Sequence, residues 1–339
     1  MAATVLVYLD SPTNEVTEVR PATLELITAG RALGRVDVVT LGAPSLGVLA
    51  TLGTYGVEQV HQAELPATVP TNAHWLTEVL SAVFVEAVNR VHADLLLVPT
   101  TFAAKEAAAV AAARLGAGFV AHALTITSAT ESSEQPGIAV ATDAKFRSTT
   151  LAFAGAWYVE MELSTDPAVV ALQPGGVTPE PAVTATQPEI YPLPVAVVAP
   201  LVEVISRELK PHDDGRPDLA AASIIVSGGR GVNGDLTPVF ELADALDAAV
   251  GVTRDIAFEG LYDEYVGTTG VTVAPSLYIA AGISGSPYHT GGMRSSRYVI
   301  SVNNDDDAPI KEISDLFIVG DLAAVLPAAA QKLKSRSGG

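Results

Sequence analysis

Apolar residues in the first half of the chain fall into two alternating patterns. Short, nearly continuous runs at Thr4–Leu9, Val36–Leu41, Val57–Gln62 and Leu95–Pro99 have the length and branched content of buried strands. Between or after them, Ala22–Leu33, Ala73–Val91 and Ala103–Leu115 carry helical spacing. Leu76, Leu80, Val83, Ala87 and Val91 recur at three- and four-residue steps, which makes one apolar stripe. Pro21 suits the first turn of the Ala22 helix. Strands separated by helices predict a mostly parallel sheet. Past Gly116 the pattern turns to strands at Phe119–Ile126, Gly137–Ala141 and Thr149–Phe153, the last running on toward Met161. These extend the sheet at an antiparallel edge.

Asp166–Gln187 reads DPAVVALQPGGVTPEPAVTATQ, a connector holding a short strand at most. The apolar run Val195–Ile205 belongs to the first domain or to the crossover. Lys210–Ala220, KPHDDGRPDLA, is polar and turn-rich and marks the boundary. The expected domains are therefore 1–209 and 210–339. The second restarts the rhythm with strand Ala222–Val226 and helix Pro238–Val250, for which Thr237 is the expected N-cap. Strand Leu277–Ile283 and the short helix Pro287–Arg294 follow. Then come strand Tyr298–Val302, a helical turn at Ala308–Ile313, strand Leu316–Val319 and helix Leu322–Leu333. The fold class is α/β: a parallel-sheet, nucleotide-binding-like N-terminal domain and a doubly wound C-terminal domain.

Composition narrows the chemistry. The 339 residues contain no cysteine, so disulfides, thiolate metal sites and a cysteine nucleophile are excluded. The formal net charge of −19 disfavours contact with a phosphate backbone, and no nucleic-acid partner is expected. Although 49% of the residues are hydrophobic, no uncharged run reaches the roughly 18 residues of a membrane span. The opening MAATVLVYLD lacks the basic region of a signal peptide, and a cytoplasmic location without membrane insertion is expected. The patterns GxxxxGK[ST], HExxH and GxSxG do not occur, and no metal site is expected.

Four segments carry candidate chemistry. IIVSGGRGVNG, Ile224–Gly234, runs from a strand into glycines, and Gly229-x-Gly231-x-x-Gly234 matches the dinucleotide fingerprint. That fingerprint calls for an acidic residue about twenty positions on, whereas GVTRD places Arg254 ahead of Asp255. A nicotinamide-dependent dehydrogenase using Gly229–Gly234 stays open on these residues. VGTTG sets Thr268 and Thr269 between Gly267 and Gly270. After the apolar run, ISGSPYH brings Ser284, Gly285, Ser286 and His289. The two clusters are either turn and cap chemistry or one crevice of hydroxyls, backbone N–H groups and a histidine. VNNDDDAP offers Asn303 at a strand end, and VGDL offers Asp321, most simply a helix cap.

Taken in order, SGGRG, GVTR, VGTTG-x-x-VAPSLYIAAGISG, H-x-x-GM, VNNDDDAPI and VGDL resemble the α subunit of the electron transfer flavoproteins. The resemblance is strongest over Ser227–Leu322. It implies that the C-terminal domain binds FAD and that the chain is an electron carrier, not an enzyme with its own substrate. It implies a heterodimer with a β-type subunit carrying AMP. Electrons would come from donors such as acyl-CoA dehydrogenases of fatty acid β-oxidation and pass to a quinone-linked acceptor. By resemblance, Arg254 would lie against the isoalloxazine, Thr269 near its N5 edge and His289 near the pyrimidine carbonyl. Thr253, Ser284, Asn303 and Asp321 would hold the ribityl, phosphate and adenosine parts. Arg230 would lie near the flavin, and Gly267, Thr268, Gly285 and Ser286 complete the cofactor-binding set. Thr268 stands where the family has glutamine, and Val271 and Asn304 stand where it has lysines. DIAFEGLYDEY lacks the family's aromatic-proline turn. These departures imply a divergent member, and a structural or regulatory paralogue with an empty flavin site is the alternative they raise.

Overall fold

A computed structural model describes residues 2–11, 13–129, 144–153, 157–197, 202–206, 208 and 215–337. The chain divides into two compact units, Met1–Ala152 with Tyr158–Leu209, and Phe153–Trp157 with Lys210–Gly339.

The first unit opens with β1 (Ala3–Tyr8), β2 (Glu15–Val16), α1 (Pro21–Leu33), β3 (Gly34–Thr40), β4 (Ala43–Pro44) and α2 (Leu46–Thr54). It continues through β5 (Gln59–Glu64), α3 (Thr77–Val91), β6 (Leu95–Pro99), α4 (Phe102–Leu115) and β7 (Gly118–Ser128). The last strands are β8 (Phe146–Ala152), β9 (Trp157–Leu163), β10 (Ala168–Leu172) and β11 (Glu189–Pro194). They form a nine-stranded sheet in the order β11-β5-β3-β1-β6-β10-β7-β8-β9. From β11 through β7 the neighbouring strands pair in parallel, and β7 pairs with β8 antiparallel, the expected antiparallel edge. Alternate residues of the strands feed opposite faces. Val5, Val7, Leu95 and Leu97 pack with Leu26 and Ile27 of α1 and Leu52 of α2. Leu6, Tyr8, Leu96 and Val98 pack with Leu80 and Phe84 of α3 and the alanines of α4.

Several boundaries differ from the sequence expectation. The connector supplies β10, whose five residues are all buried between β6 and β7 at the middle of the sheet. Its flanking prolines and glycines hide that strand in a composition average. The same segment is followed by β11, an edge strand whose Pro192 and Pro194 are tolerated because an edge needs fewer N–H donors. Helix α2 was not expected from its glycine-bearing sequence LGVLATLGT; Ser45 starts it by accepting the Val48 N–H at 3.3 Å. Helix α3 starts at Thr77, after a 3₁₀ turn at Thr71–Ala73. The expected continuation of Thr149–Phe153 is two strands, β8 and β9. The expected strand Gly137–Ala141 lies outside the described residues, as do residues 198–201 of the Val195–Ile205 run.

The second unit holds β12 (Ile224–Gly228), α5 (Thr237–Leu246), β13 (Ala249–Val252), α6 (Arg254–Phe258), β14 (Leu277–Ala281) and α7 (Pro287–Met293). It closes with β15 (Val299–Asn303), β16 (Leu316–Val319) and α8 (Leu322–Ser337). Its five strands are all parallel in the order β13-β12-β14-β15-β16, the doubly wound arrangement. One face packs Val226, Val250, Ile279 and Val302 against α5 and α8. The other packs Ile225, Tyr278, Ala280 and Val299 against Met293 of α7 and Ile310. Helix α5 ends at Leu246 because Asp247 turns left-handed (φ 51°), and Val250 belongs to β13. Thr237 is not its cap. Leu236 holds that place without a side-chain bond, and Asp235 Oδ1 accepts the Thr237 N–H at 2.9 Å.

Candidate functional site

In the second unit the chain reverses its winding direction between β12 and β14, and the loops leaving their carboxyl ends diverge to opposite faces. Such a switch point leaves a crevice beyond the strand ends. The two loops are stitched at its floor. Gly229 N–H donates to the Ala281 carbonyl at 2.8 Å and Gly231 N–H to the Gly282 carbonyl at 3.0 Å. A Cβ on Gly231 would come within 2.6 Å of the Gly282 Cα, and one on Gly229 within 2.5 Å of the Gly282 oxygen. These glycines are therefore required for loop-to-loop packing. The loop passes through a 3₁₀ turn, Arg230–Val232, and α5 begins only at Thr237. The glycine run does not open a helix in the way a dinucleotide fingerprint demands.

Above the floor lies a cleft of about 380 Å³. Arg230 reaches it from the loop after β12, and Thr253 and Arg254 from the end of β13. Gly267 and Thr269 come from the loop after α6, Ser284 and Ser286 from that after β14, His289 from α7 and Asn303 from the end of β15. The wall thus gathers most of the sequence-predicted set. Thr268, Gly285 and Asp321 do not line it. Thr268 is exposed, and its N–H donates to the Tyr288 carbonyl at 2.8 Å. Gly285 (φ 95°) packs on Ile310, whose nitrogen would lie 2.4 Å from an added Cβ. Asp321 starts α8, accepting the Ala323 N–H on Oδ1 at 2.9 Å. Asn303 lines the cleft, but its amide serves the chain. Its nitrogen donates to the Ile283 carbonyl at 2.9 Å and its oxygen accepts the Asp305 N–H at 3.0 Å.

Two tyrosines at the wall escape the sequence reading. Tyr288 is 62% exposed, and the Arg254 guanidinium sits 5.4 Å from its ring centre. Tyr265 donates its hydroxyl to the Thr269 carbonyl at 2.6 Å and so clamps the GTTG turn. Tyr288 stands inside ISGSPYH and Tyr265 ends DIAFEGLYDEY, and neither follows a spacing rule that would single it out. The cleft's cations among the described residues are Arg230 and Arg254. Arg230 approaches Asp255 at 3.6 Å with both side chains largely in water.

The interior of the wall is different. His289 is 5% exposed, with Nε2 2.9 Å from the Tyr278 hydroxyl. Burial pushes its pKa down to about 4, against an interaction with the Val266 backbone that acts the other way. Its Nδ1 and the Thr253 Oγ1 are both buried without a hydrogen-bond partner among the described residues. Buried polar atoms are rarely left this way, and two beside one cleft suit a ligand with polar ring edges.

Residues 218–294 match the family model described as the electron transfer flavoprotein FAD-binding domain, and residues 11–198 match the electron transfer flavoprotein domain. The chain is 34% identical over 322 residues to the electron transfer flavoprotein subunit alpha of Mycobacterium leprae, covering 93% of this chain and 94% of that one. It is 32% identical over 326 residues to the same subunit of Bacillus subtilis, covering 94% of each. The chain belongs to the electron transfer flavoprotein α-subunit family. FAD is the cofactor named for the C-terminal family domain. The matched segment runs through Arg230, Thr253, Arg254, Thr269 and His289, and ends before Asn303 and Asp321. Among the described residues no helix is long and apolar enough to cross a membrane.

Proposed function

We propose that the switch-point cleft of this electron transfer flavoprotein α subunit holds the flavin of FAD. The chain then serves as the carrier half of a heterodimer, taking electrons from dehydrogenases such as acyl-CoA dehydrogenases and delivering them to a quinone-linked or similar acceptor in the cytoplasm. The observation that carries this reading is the buried, unpartnered Nδ1 of His289 beside the unpartnered Thr253 Oγ1. Bound FAD supplies the redox chemistry, and the protein supplies position and electrostatics.

The residues divide the work. Arg254, at the mouth, favours negative charge on a ring placed against it. Thr253 and His289 offer the two polar atoms left without a hydrogen-bond partner among the described residues. Tyr265 holds the Thr269 turn in place. Ser284 and Ser286 are exposed hydroxyls beyond β14, available to the cofactor's chain. Arg230 adds a second cation.

A partner chain has separate support. An apolar groove of about 350 Å³ crosses the β14-β15-β16 side of the second unit, lined by Leu246, Ile279, Ile300, Ile318, Leu326 and Leu333. Lys332 and Arg336 stand at its rim. Such a groove suits an apolar segment with acidic flanks from the β-type, AMP-carrying subunit. The chain is to be co-expressed with a β-type subunit and the visible absorbance of the purified complex recorded. The expected result is a flavin spectrum at about one FAD per heterodimer. A stable but colourless heterodimer overturns the reading in favour of an empty-site paralogue.

A further inference from the structure

We propose that the Tyr278 hydroxyl is a positioning group: it fixes His289 as the Nδ1–H tautomer, so that the cleft is offered one buried hydrogen-bond donor. This rests on the flavin reading above for the identity of the acceptor, but not for the tautomer itself.

The pair is set by the fold. Tyr278 is the second residue of β14, wholly buried at 0% exposure on the face that packs against α7. His289 lies in the first turn of α7, held by its own N–H donating to the Ser286 carbonyl at 2.9 Å. The phenol oxygen meets Nε2 at 2.9 Å, and the rings are tilted by 59° with centres 6.0 Å apart. The hydroxyl therefore addresses the ring's edge, where the nitrogen lone pair lies.

Proton accounting then chooses the tautomer. Burial holds the Tyr278 phenol far above its ordinary pKa, so it keeps its proton near neutrality. Burial also keeps the His289 ring neutral, with one N–H and one lone pair. If Nε2 carried the proton, it would donate to the phenol oxygen. The phenol proton would then have to go to Ser227 Oγ, although Ser227 acts on Tyr278 as a donor to the phenol oxygen, and Nδ1 would be a buried lone pair without a donor. If the phenol donates to Nε2, that contact is satisfied, and a single polar atom is left over, the Nδ1–H. A weak backbone hydrogen bond with Val266 favours an N–H on the ring, which agrees with this arrangement, but its geometry does not satisfy Nδ1. The leftover donor is the unpartnered atom beside the cleft. It selects a ligand with an acceptor, such as a ring carbonyl, and rejects one with a donor there.

The test uses the full-length chain labelled with ¹⁵N at its 6 histidines. Long-range proton–nitrogen spectra distinguish pyrrole-type from pyridine-type ring nitrogens, and loss of one signal set in His289→Gln assigns the residue. The expected native pattern is pyrrole-type at Nδ1 and pyridine-type at Nε2. In Tyr278→Phe the ring is expected to become a mixture of tautomers, and the FAD Kd of the complex with its partner to rise about tenfold, the scale of one lost hydrogen bond. A native ring protonated at Nε2 overturns the proposal, whatever the variant does. So does a Tyr278→Phe ring that stays purely Nδ1–H. A colourless native complex overturns the flavin reading alone, because the spectra decide the tautomer without any cofactor.

Discussion

The two units are wired alike at their centres but differ at the place where such sheets bind ligands. In each, the first strand lies where the strand order reverses, β1 between β3 and β6, and β12 between β13 and β14. In the first unit the loops beyond β1 are closed by the chain itself. Trp75 Nε1 donates to the Ser11 carbonyl at 2.8 Å, His74 Nδ1 lies 2.9 Å from Asn14 Oδ1, and Arg20 pairs with Asp10 at 3.3 Å. In the second unit the corresponding space is a cleft whose buried His289 Nδ1 and Thr253 Oγ1 lack partners among the described residues. Both sheets therefore reverse strand order beside their first strand, and the side chains at that place differ, bonded to one another in the first unit and lining a cleft in the second.

The sharpest way to break the comparison is to fill the second crevice's floor. Gly231→Val puts a side chain where a Cβ already meets the Gly282 backbone at 2.6 Å, and should cost about 3 kcal/mol or more. Hydrogen exchange read by mass spectrometry should show peptides of the second unit losing protection while those of the first keep theirs.

The units should also answer pH in opposite senses. Burial pushes the Glu25 carboxyl, in α1, from 4.5 up to about 7. Between those pH values the folded chain keeps a proton that the unfolded chain has released, so stability present below pH 4.5 is lost as pH rises toward 7. For His289 the ring pKa falls from 6.5 to about 4, so the unfolded chain takes up a proton first and stability is lost as pH drops from 6.5 toward 4. Each window is worth roughly 3 kcal/mol. Glu25→Gln, which keeps an acceptor for the Gly175 N–H, should raise the melting temperature more at pH 8 than at pH 4.5. Equal gains at both values would show that the carboxyl is not the titrating group.

Smaller effects sharpen the functional half. Arg254→Ala should lower the potential of bound flavin by tens of millivolts, 59 mV being about 1.4 kcal/mol for one electron. Its melting temperature should barely change, since the guanidinium is exposed and its ring contact with Tyr288 is at the surface. An unchanged potential would remove Arg254 from the site. Trp75→Phe, in the closed crevice, should cost about 1 kcal/mol through the lost bond to Ser11 and leave flavin content untouched.

How much was legible follows from burial. Strands β6 and β14 read cleanly because a parallel strand covered on both faces is a continuous apolar run. Strand β10 is as buried as any, yet its five residues sit among prolines and glycines that mark a connector. At the site, Arg254, Thr269 and His289 were legible because each stands in a short motif. Tyr265 and Tyr288 were not, because a side chain that reaches a cleft from a neighbouring turn leaves no periodic trace.

By itself the sequence determined the local elements, the excluded chemistries and the family resemblance, since periodicity, turn residues and motif order are properties of neighbours along the chain. Tertiary structure alone decided the rest. It showed that the glycine loop packs against Gly282 instead of opening a helix, that the connector holds a central strand, and that Tyr278 meets Nε2 of His289 while Nδ1 has no partner among the described residues. Strand order and hydrogen-bond satisfaction are relations between residues distant in sequence, and only the packed sheet brings them together.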